Sequence, residues 1–303
     1  MSDEPRAVTI VDTFAEAFPM TAARAIITAA TARWAEIAGQ VMSGYATSVI
    51  ACDAEVAIER SLDPDETPDG RPGVSVIAFA FSREALEKAF ANRVGQCVMT
   101  CATTACYNGL PIEEKTISVG GRLRYFGDGW QLSKKLDGRR YWRVPVMDGE
   151  FTCEAVFGTV KGVAGGNLIL CGVDVTSTLE AAEAAVAAMR TVPGVILPFP
   201  GGVVRSGSKV GSKYKALRAS TNNAFAPTLR GAVESDLPPE AHCAYEIVID
   251  GLTLEAVECA TAAGILTARD QPGIVAITAG NYGGKLGPFH IKLRHVMDIY
   301  QCP

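Results

Sequence analysis

Apolar positions recur along this chain with two periods, and the changes between them mark out its elements. Ala7 to Val11 has the β-branched enrichment of a strand. After Pro19 and Met20 the apolar positions Ile26, Ala30, Trp34, Ile37 and Val41 fall on one face of a predicted helix, with Thr21 as its N-cap and Gly44 as its stop. Thr47 to Cys52 reads as a strand, SLDPDETPDGRPG as an irregular loop, and Val74 to Phe81 as another strand. Ser82 is placed to cap a helix whose buried stripe is Leu86, Phe90, Val94 and Cys97.

The second half repeats the theme. A strand at Asn167 to Val173 precedes a helix with a capping box of Ser177 and Glu180 and an apolar face of Leu179, Ala182, Val186 and Met189. Pro193-Gly194 ends it before the strand Val195 to Leu197. Later, the strand Tyr245 to Asp250 leads to a helix from Thr253 that stops at Pro272-Gly273, ahead of the strand Ile274 to Thr278. Two halves with split β-α-β elements predict an α+β protein of two ferredoxin-like α/β sandwich lobes, residues 1–155 and 156–303, each with helices on one face of an antiparallel sheet. Lys115 to Phe157 has strand character around Leu123 and Trp142 and no helical period, which predicts an antiparallel extension suited to assembly. A doubly wound fold would need repeated βα units around a parallel sheet.

Composition narrows the function classes. With 303 residues, 48% of them hydrophobic and only 7% aromatic, the core must be mostly aliphatic side chains and alanine. A net charge of −5 offers no basic footprint for a phosphate backbone, so nucleic acid is not an expected partner. The acidic start MSDEPRAVTI is unlike a secretory signal, no apolar run approaches the roughly 18 residues of a membrane span, and nine cysteines read as reduced thiols. A cytoplasmic protein without membrane contact is the expectation.

The densest glycine segment is PFPGGVVRSGSKVGSK, Pro198 to Lys213. It lacks the Gly-Lys-Ser/Thr close of a nucleotide-binding P-loop, yet glycines beside Arg205, Ser206, Lys209 and Lys213 let backbone N–H groups and cations converge on an anion. A solvated surface loop is the plain alternative. Cys97, Cys101 and Cys106 are close in sequence, but no fourth ligand is spaced nearby and His242, His290 and His295 lack ligand spacing, so buried thiols are expected and metal is not. No Gly-x-Ser-x-Gly elbow occurs. Glu246 is the most unusual charge, because it interrupts the apolar strand AYEIVIDG. On an alternating strand it shares a face with Val248 and Asp250, and the pattern leaves open a solvent-facing side chain or a buried acid or base.

Ten segments carry a resemblance: DTFAEAF at Asp12, GYATSVIAC at Gly44, ETPDGRPGV at Glu66, RVGQCVMT at Arg93, FGDGWQ at Phe126, GVAGGN at Gly162, the Pro198 to Lys213 loop, ASTNNAF at Ala219, YEIVIDGL at Tyr245 and AITAGNYGGKLG at Ala276. Together, in this order, they resemble the formyltransferases that move a formyl group between methanofuran and tetrahydromethanopterin. The resemblance implies two ferredoxin-like lobes, tetramers built from dimers, and clefts where lobes of neighbouring subunits meet. It also implies both carriers as substrates, with no metal and no covalent enzyme intermediate. It marks Glu246 as the proton-transfer residue and sets Gln96, Cys97 and Val98 and the Pro198 to Lys213 loop near the substrates. Because both carriers are anionic, Arg205, Ser206, Lys209, Lys213 and Lys285 are the residues expected to bind them and their tails. The segment Pro111 to Gly121 departs most from the family pattern. Arginine outnumbers lysine and alanine is abundant, as in proteins of GC-rich genomes, which points to the bacterial members that work in a formyltransferase/hydrolase complex. The alternative is a non-catalytic, formyltransferase-like scaffold that binds the carrier within such a complex; Glu246 in its motif favours an enzyme.

Overall fold

The computed structural model describes residues 7–207 and 209–300. Met20–Gly162 forms one compact unit, and the chain from Val163 onward, with the segment up to Pro19, forms another.

After the short strand Thr9–Ile10 (β1), the chain enters a long one, Phe14–Thr28 (β2). Thr21 to Ile27, expected to open a helix, is therefore strand: it pairs with Gly73–Ala80 from Thr21↔Ala80 to Thr28↔Gly73. Apolar residues stand on both faces of this stretch, Ala23, Ala25 and Ile27 in the core and Ala22 and Ile26 opposite, so Arg24 alone marks the alternation and the period misleads there. The helix begins later, at Ala32–Ser43 (α1), where the Thr31 hydroxyl accepts the Trp34 N–H at 3.4 Å. Thr47 to Cys52, expected as a strand, is a run of turns. The strands Glu55–Leu62 (β3) and Gly73–Ala80 (β4) follow, then Arg83–Arg93 (α2), capped by Ser82 as its sequence predicts. A single π-helical turn, Val94–Val98, separates α2 from Ala105–Asn108 (β5). The strands lie in the order β5-β2-β4-β3, every neighbouring pair antiparallel. Ala35, Ala38 and Met42 of α1 and Leu86 and Phe90 of α2 share one core with Val56, Val74 and Val76 of the sheet. That is the ferredoxin-like arrangement, and the aliphatic, alanine-rich core is as composition requires.

Beyond β5 come Thr116–Ser118 (β6), a helical turn at Gly120–Leu123 (α3) where strand character was expected, and the strands Leu132–Leu136 (β7), Arg139–Val146 (β8) and Gly149–Glu154 (β9). β7, β8 and β9 make an antiparallel extension joined to β5 through β9. Asp137 and Gly138 both have positive φ, 49° and 79°, the backbone that a two-residue hairpin between twisted strands demands. Val156–Gly158 (β10) pairs with β6.

Val160–Gly172 (β11) carries the chain into the second unit, where Val175–Met189 (α4) follows. Asp174 caps α4, accepting from Thr176 N at 2.8 Å and Ser177 N at 3.0 Å, so the helix starts ahead of the Ser177 capping box read from the sequence. Val195–Ile196 (β12), the small hairpin of Lys209–Val210 (β13) and Ala219–Ser220 (β14), Cys243–Gly251 (β15), Leu254–Arg269 (α5), Ile274–Thr278 (β16), Phe289–Lys292 (β17) and Leu293–Ile299 (α6) complete it. Its sheet runs β16-β11-β15-β12, antiparallel throughout, with β1 added in parallel beside β16. Leu168, Leu170, Ile247 and Ile249 point to the helices and pack with Ala181, Ala185, Val257 and Ala260. The other face of the sheet is covered by the connection between β12 and β15, whose Leu237 and Ala241 pack with Ile169, Cys171 and Ala276.

Candidate active site

That covering connection decides the environment of Glu246. Alternation does put Glu246 on the face away from the helices, with Val248 and Asp250, but the face is not solvated: Glu246 is 4% exposed and Asp250 fully buried. Val204 lies against Glu246 as a short antiparallel bridge, its N–H donating to the Glu246 carbonyl at 2.7 Å and its carbonyl accepting the Glu246 N–H at 3.1 Å. The solvent-facing alternative is thereby removed, for a reason remote from the strand itself.

The Glu246 carboxylate has a defined partner. Asn167 on β11 sits opposite Val248, two residues along from Glu246 on the same face, and its Nδ2 donates to Glu246 Oε1 at 2.7 Å. The amide cannot turn over, because its Oδ1 accepts the Gly280 N–H at 3.0 Å and a backbone N–H can only donate. A side chain added at Gly280 would meet the Asn167 amide at 2.9 Å, so the loop approaches Asn167 closely for want of one.

The loop that holds Gly280 is fixed in turn. Glu16 of β2, 1% exposed, accepts N–H bonds from Tyr282 and from Leu286, the latter at 3.1 Å. The Tyr282 hydroxyl accepts the Val210 N–H at 2.7 Å, tying the loop to the β13–β14 hairpin. Burial pushes the Tyr282 phenol above its ordinary range; the Val210 N–H works the other way, and the charges of Glu246 and Glu16 push it further up. Its proton is therefore held at any ordinary pH.

Glu246, Val204, Arg205, Ser206, Asn222 and Phe225 are among the residues that line a cavity of about 380 Å³. Arg205 and Ser206 of the expected anion-binding set thus meet Glu246 here, both exposed. Lys209, half-buried, instead donates its Nζ to Asn223 Oδ1. Lys213 and Lys285 are exposed on their loops and Ser208 lies outside the described residues. Gln96, Cys97 and Val98 belong to the Met20–Gly162 unit, on the π-helical turn, with Gln96 exposed, Cys97 half-buried and Val98 buried. Burial pushes the Cys97 thiol up, partly offset by Arg93. Among the described residues no group of three His, Cys, Asp or Glu side chains is arranged to hold a metal ion. Cys101 donates its thiol to the Trp34 carbonyl at 3.7 Å and Cys106 is buried in β5. Asn167, Tyr282 and Glu16 were not singled out from the sequence, although each lies in a segment that carries the resemblance.

Residues 4–146 match the family described as formylmethanofuran-tetrahydromethanopterin formyltransferase, and residues 149–296 match its proximal lobe. A formylmethanofuran–tetrahydromethanopterin formyltransferase of Methylobacillus flagellatus is 56% identical over 296 residues, covering 96% of this chain and 98% of that one. The solved formylmethanofuran:tetrahydromethanopterin formyltransferase of Methanosarcina barkeri superposes with a TM-score of 0.91 at 48% identity, covering 95% of this chain and 98% of its own. A chain of the formyltransferase/hydrolase complex of Methylorubrum extorquens, solved with methylofuran, superposes with a TM-score of 0.92 at 51% identity, covering 95% and 96%.

Proposed function

The chain belongs to the formylmethanofuran–tetrahydromethanopterin formyltransferase family, and from that premise we propose that Glu246, aimed by Asn167, moves the proton as this enzyme passes a formyl group between tetrahydromethanopterin and the amine of a methanofuran-type carrier. The attacking nitrogen adds its lone pair to the formyl carbon and the carbonyl oxygen becomes an oxyanion. That nitrogen must then lose a proton, and the departing nitrogen must gain one as its bond to carbon breaks. A single carboxylate that accepts the first proton and returns it to the leaving nitrogen balances the exchange without an acyl-enzyme. Asn167 fixes the carboxyl plane by holding Oε1, so the group does not have to be ordered in the transition state. Donors aimed at the oxyanion contribute about 10²–10³ each in acyl transfer.

The observation that carries this reading is a buried glutamate, on a rigid strand, hydrogen-bonded to a neutral amide and opening on a cavity with Arg205 and Ser206 at its wall. Both carriers bear anionic groups, and Arg205, Lys209, Lys213 and Lys285 supply cations for them. Gln96, Cys97 and Val98 contribute carrier contacts from their π-helical turn, a distortion that frequently accompanies functional positions. The chemistry needs no metal. Among the described residues no helix is long and apolar enough to cross a membrane. The working form is a cytoplasmic homo-oligomer, a tetramer, or a subunit of a formyltransferase/hydrolase complex like that of the Methylorubrum extorquens relative.

The purified chain, assayed alone with formyl-tetrahydromethanopterin and a furfurylamine carrier, is expected to form the N-formyl product. Carrier binding without turnover would instead make the chain a scaffold subunit. Light scattering on the same sample reads the assembly.

A further inference from the structure

The extension of the Met20–Gly162 unit carries positive charge outside the set of cations proposed above for the carriers. Ser118, Gly121, Arg124, Arg139, Arg140 and Trp142 are among the residues around a cavity of about 670 Å³. Arg139 is accounted for: its Nε donates to Glu154 Oε1 at 2.5 Å, and Glu154 is 1% exposed. Arg124 and Arg140 are different. Among the described residues neither pairs with a carboxylate. Arg124 donates to the Tyr125 hydroxyl at 2.6 Å, and its guanidinium carbon lies 4.4 Å from the Tyr125 ring centroid and 4.9 Å from that of Trp142. Arg140 donates to Ser133 Oγ at 2.9 Å and lies 5.9 Å from the Trp142 centroid. The β7–β8 register sets Lys135 directly opposite Arg140, two like charges face to face, which destabilises a hairpin unless a counter-charge sits between them. Gly121 lets the backbone lie close against Ser118 at the cavity wall, since a Cβ there would lie 2.4 Å from Ser118 Oγ.

We propose that this cavity binds a phosphate- or carboxylate-bearing ligand held by Arg124 and Arg140. A guanidinium stacked against an aromatic ring keeps its N–H edge available, and that edge matches the two oxygens of a carboxylate or phosphate. Lys135 adds charge as a third cation, and the bound anion relieves its repulsion with Arg140.

The full chain is titrated with citrate and, separately, with inorganic phosphate, at ionic strength held constant with sodium chloride, and read by Tm and by tryptophan emission. The wild type is expected to show a saturable rise in Tm and an emission change that is lost in Trp142→Phe. Arg124→Gln and Arg140→Gln should each weaken the apparent affinity about tenfold or more, as for loss of a charged hydrogen bond, and the double variant should abolish saturation. Phosphate stabilises folded proteins in general by exclusion from their surfaces, so an unsaturable rise of equal size in wild type and double variant overturns the site. Both arginines project at least partly into solvent, and far-ultraviolet circular dichroism confirms that the variants fold. The KM values of the double variant separate the two sources of such a ligand. A several-fold rise for one carrier assigns the site to that carrier's anionic tail, and unchanged values assign it to a free oxyanion.

Discussion

Glu59 and Glu246 stand on equivalent ground in the two units, yet they are bonded to different things. Each lies on the helix-free face of a sheet with the same strand order, and each is nearly buried. Glu59 receives the Arg24 guanidinium at 2.6 Å on one oxygen and the Ser75 hydroxyl at 2.6 Å on the other. Glu246 receives the neutral amide of Asn167. A carboxylate clamped by a cation and a hydroxyl fastens three strands together, because removing its charge leaves a partly buried guanidinium without its counter-charge. Glu246 also lines a cavity. Both carboxylates are buried, so the contrast proposed between a structural role and a chemical one rests on the Arg24 ion pair at Glu59 and on the cavity at Glu246.

The comparison breaks most sharply at Glu246. Glu246→Gln keeps an oxygen for Asn167 Nδ2 but cannot take up a proton, so kcat should fall by about 10²–10⁴ with fold and carrier affinity little changed. Steady-state kinetics on folded protein measures this. Glu59→Gln should do the reverse: about 3 kcal/mol of stability is lost as Arg24 is left without its counter-charge, seen as a lower midpoint in denaturant, while turnover per folded molecule holds. A large loss of kcat in Glu59→Gln with stability intact would erase the distinction.

Asn167→Asp sharpens it further. One oxygen still accepts the Gly280 N–H, but the other faces Glu246 across the former hydrogen bond, and two adjacent carboxyls share a proton. The carboxylate limb of the kcat/KM profile should move to higher pH, with kcat down about 10-fold to 10²-fold from lost alignment. A merely structural Asn167 would lower stability and leave the limb where it was. The smallest effect is expected from Tyr282→Phe, which leaves the Val210 N–H without its acceptor at a cost of about 1 kcal/mol. Because the phenol lies above its ordinary 10.0, it stays protonated throughout the neutral and mildly alkaline range and starts to lose its proton only beyond it. The pH–rate profile of Tyr282→Phe below pH 10 should therefore overlay that of the wild type.

Elements with local punctuation were legible in the sequence. Ser82 caps the helix it was assigned, the helix read to start from Thr253 does so with Thr253 as its cap, and Pro272-Gly273 follows its end. β2 was not, because apolar residues stand on both its faces and Arg24 alone marks a period of two. Glu246 was noticed as a charge in an apolar strand, and its face was read correctly. What covers that face is the connection that leaves β12 at Ile196 and returns to β15 at Cys243, which no pattern around Glu246 encodes. Asn167 was legible in principle: it is a polar residue within the strand run from Val163 to Cys171, and antiparallel register makes it a diagonal neighbour of Glu246. Only the register reveals the pairing, and register is a long-range property.

The proton-transfer role of Glu246 is tested most directly by the pH dependence of kcat/KM, measured side by side for the wild type and Glu246→Gln over the same range. The wild type should show a limb set by one carboxyl group of the free enzyme, and that limb should be absent from the variant's low, flat profile. A folded Glu246→Gln protein that keeps both the limb and near-wild-type turnover would contradict the account and move the proton to another group, Asp250 first among them.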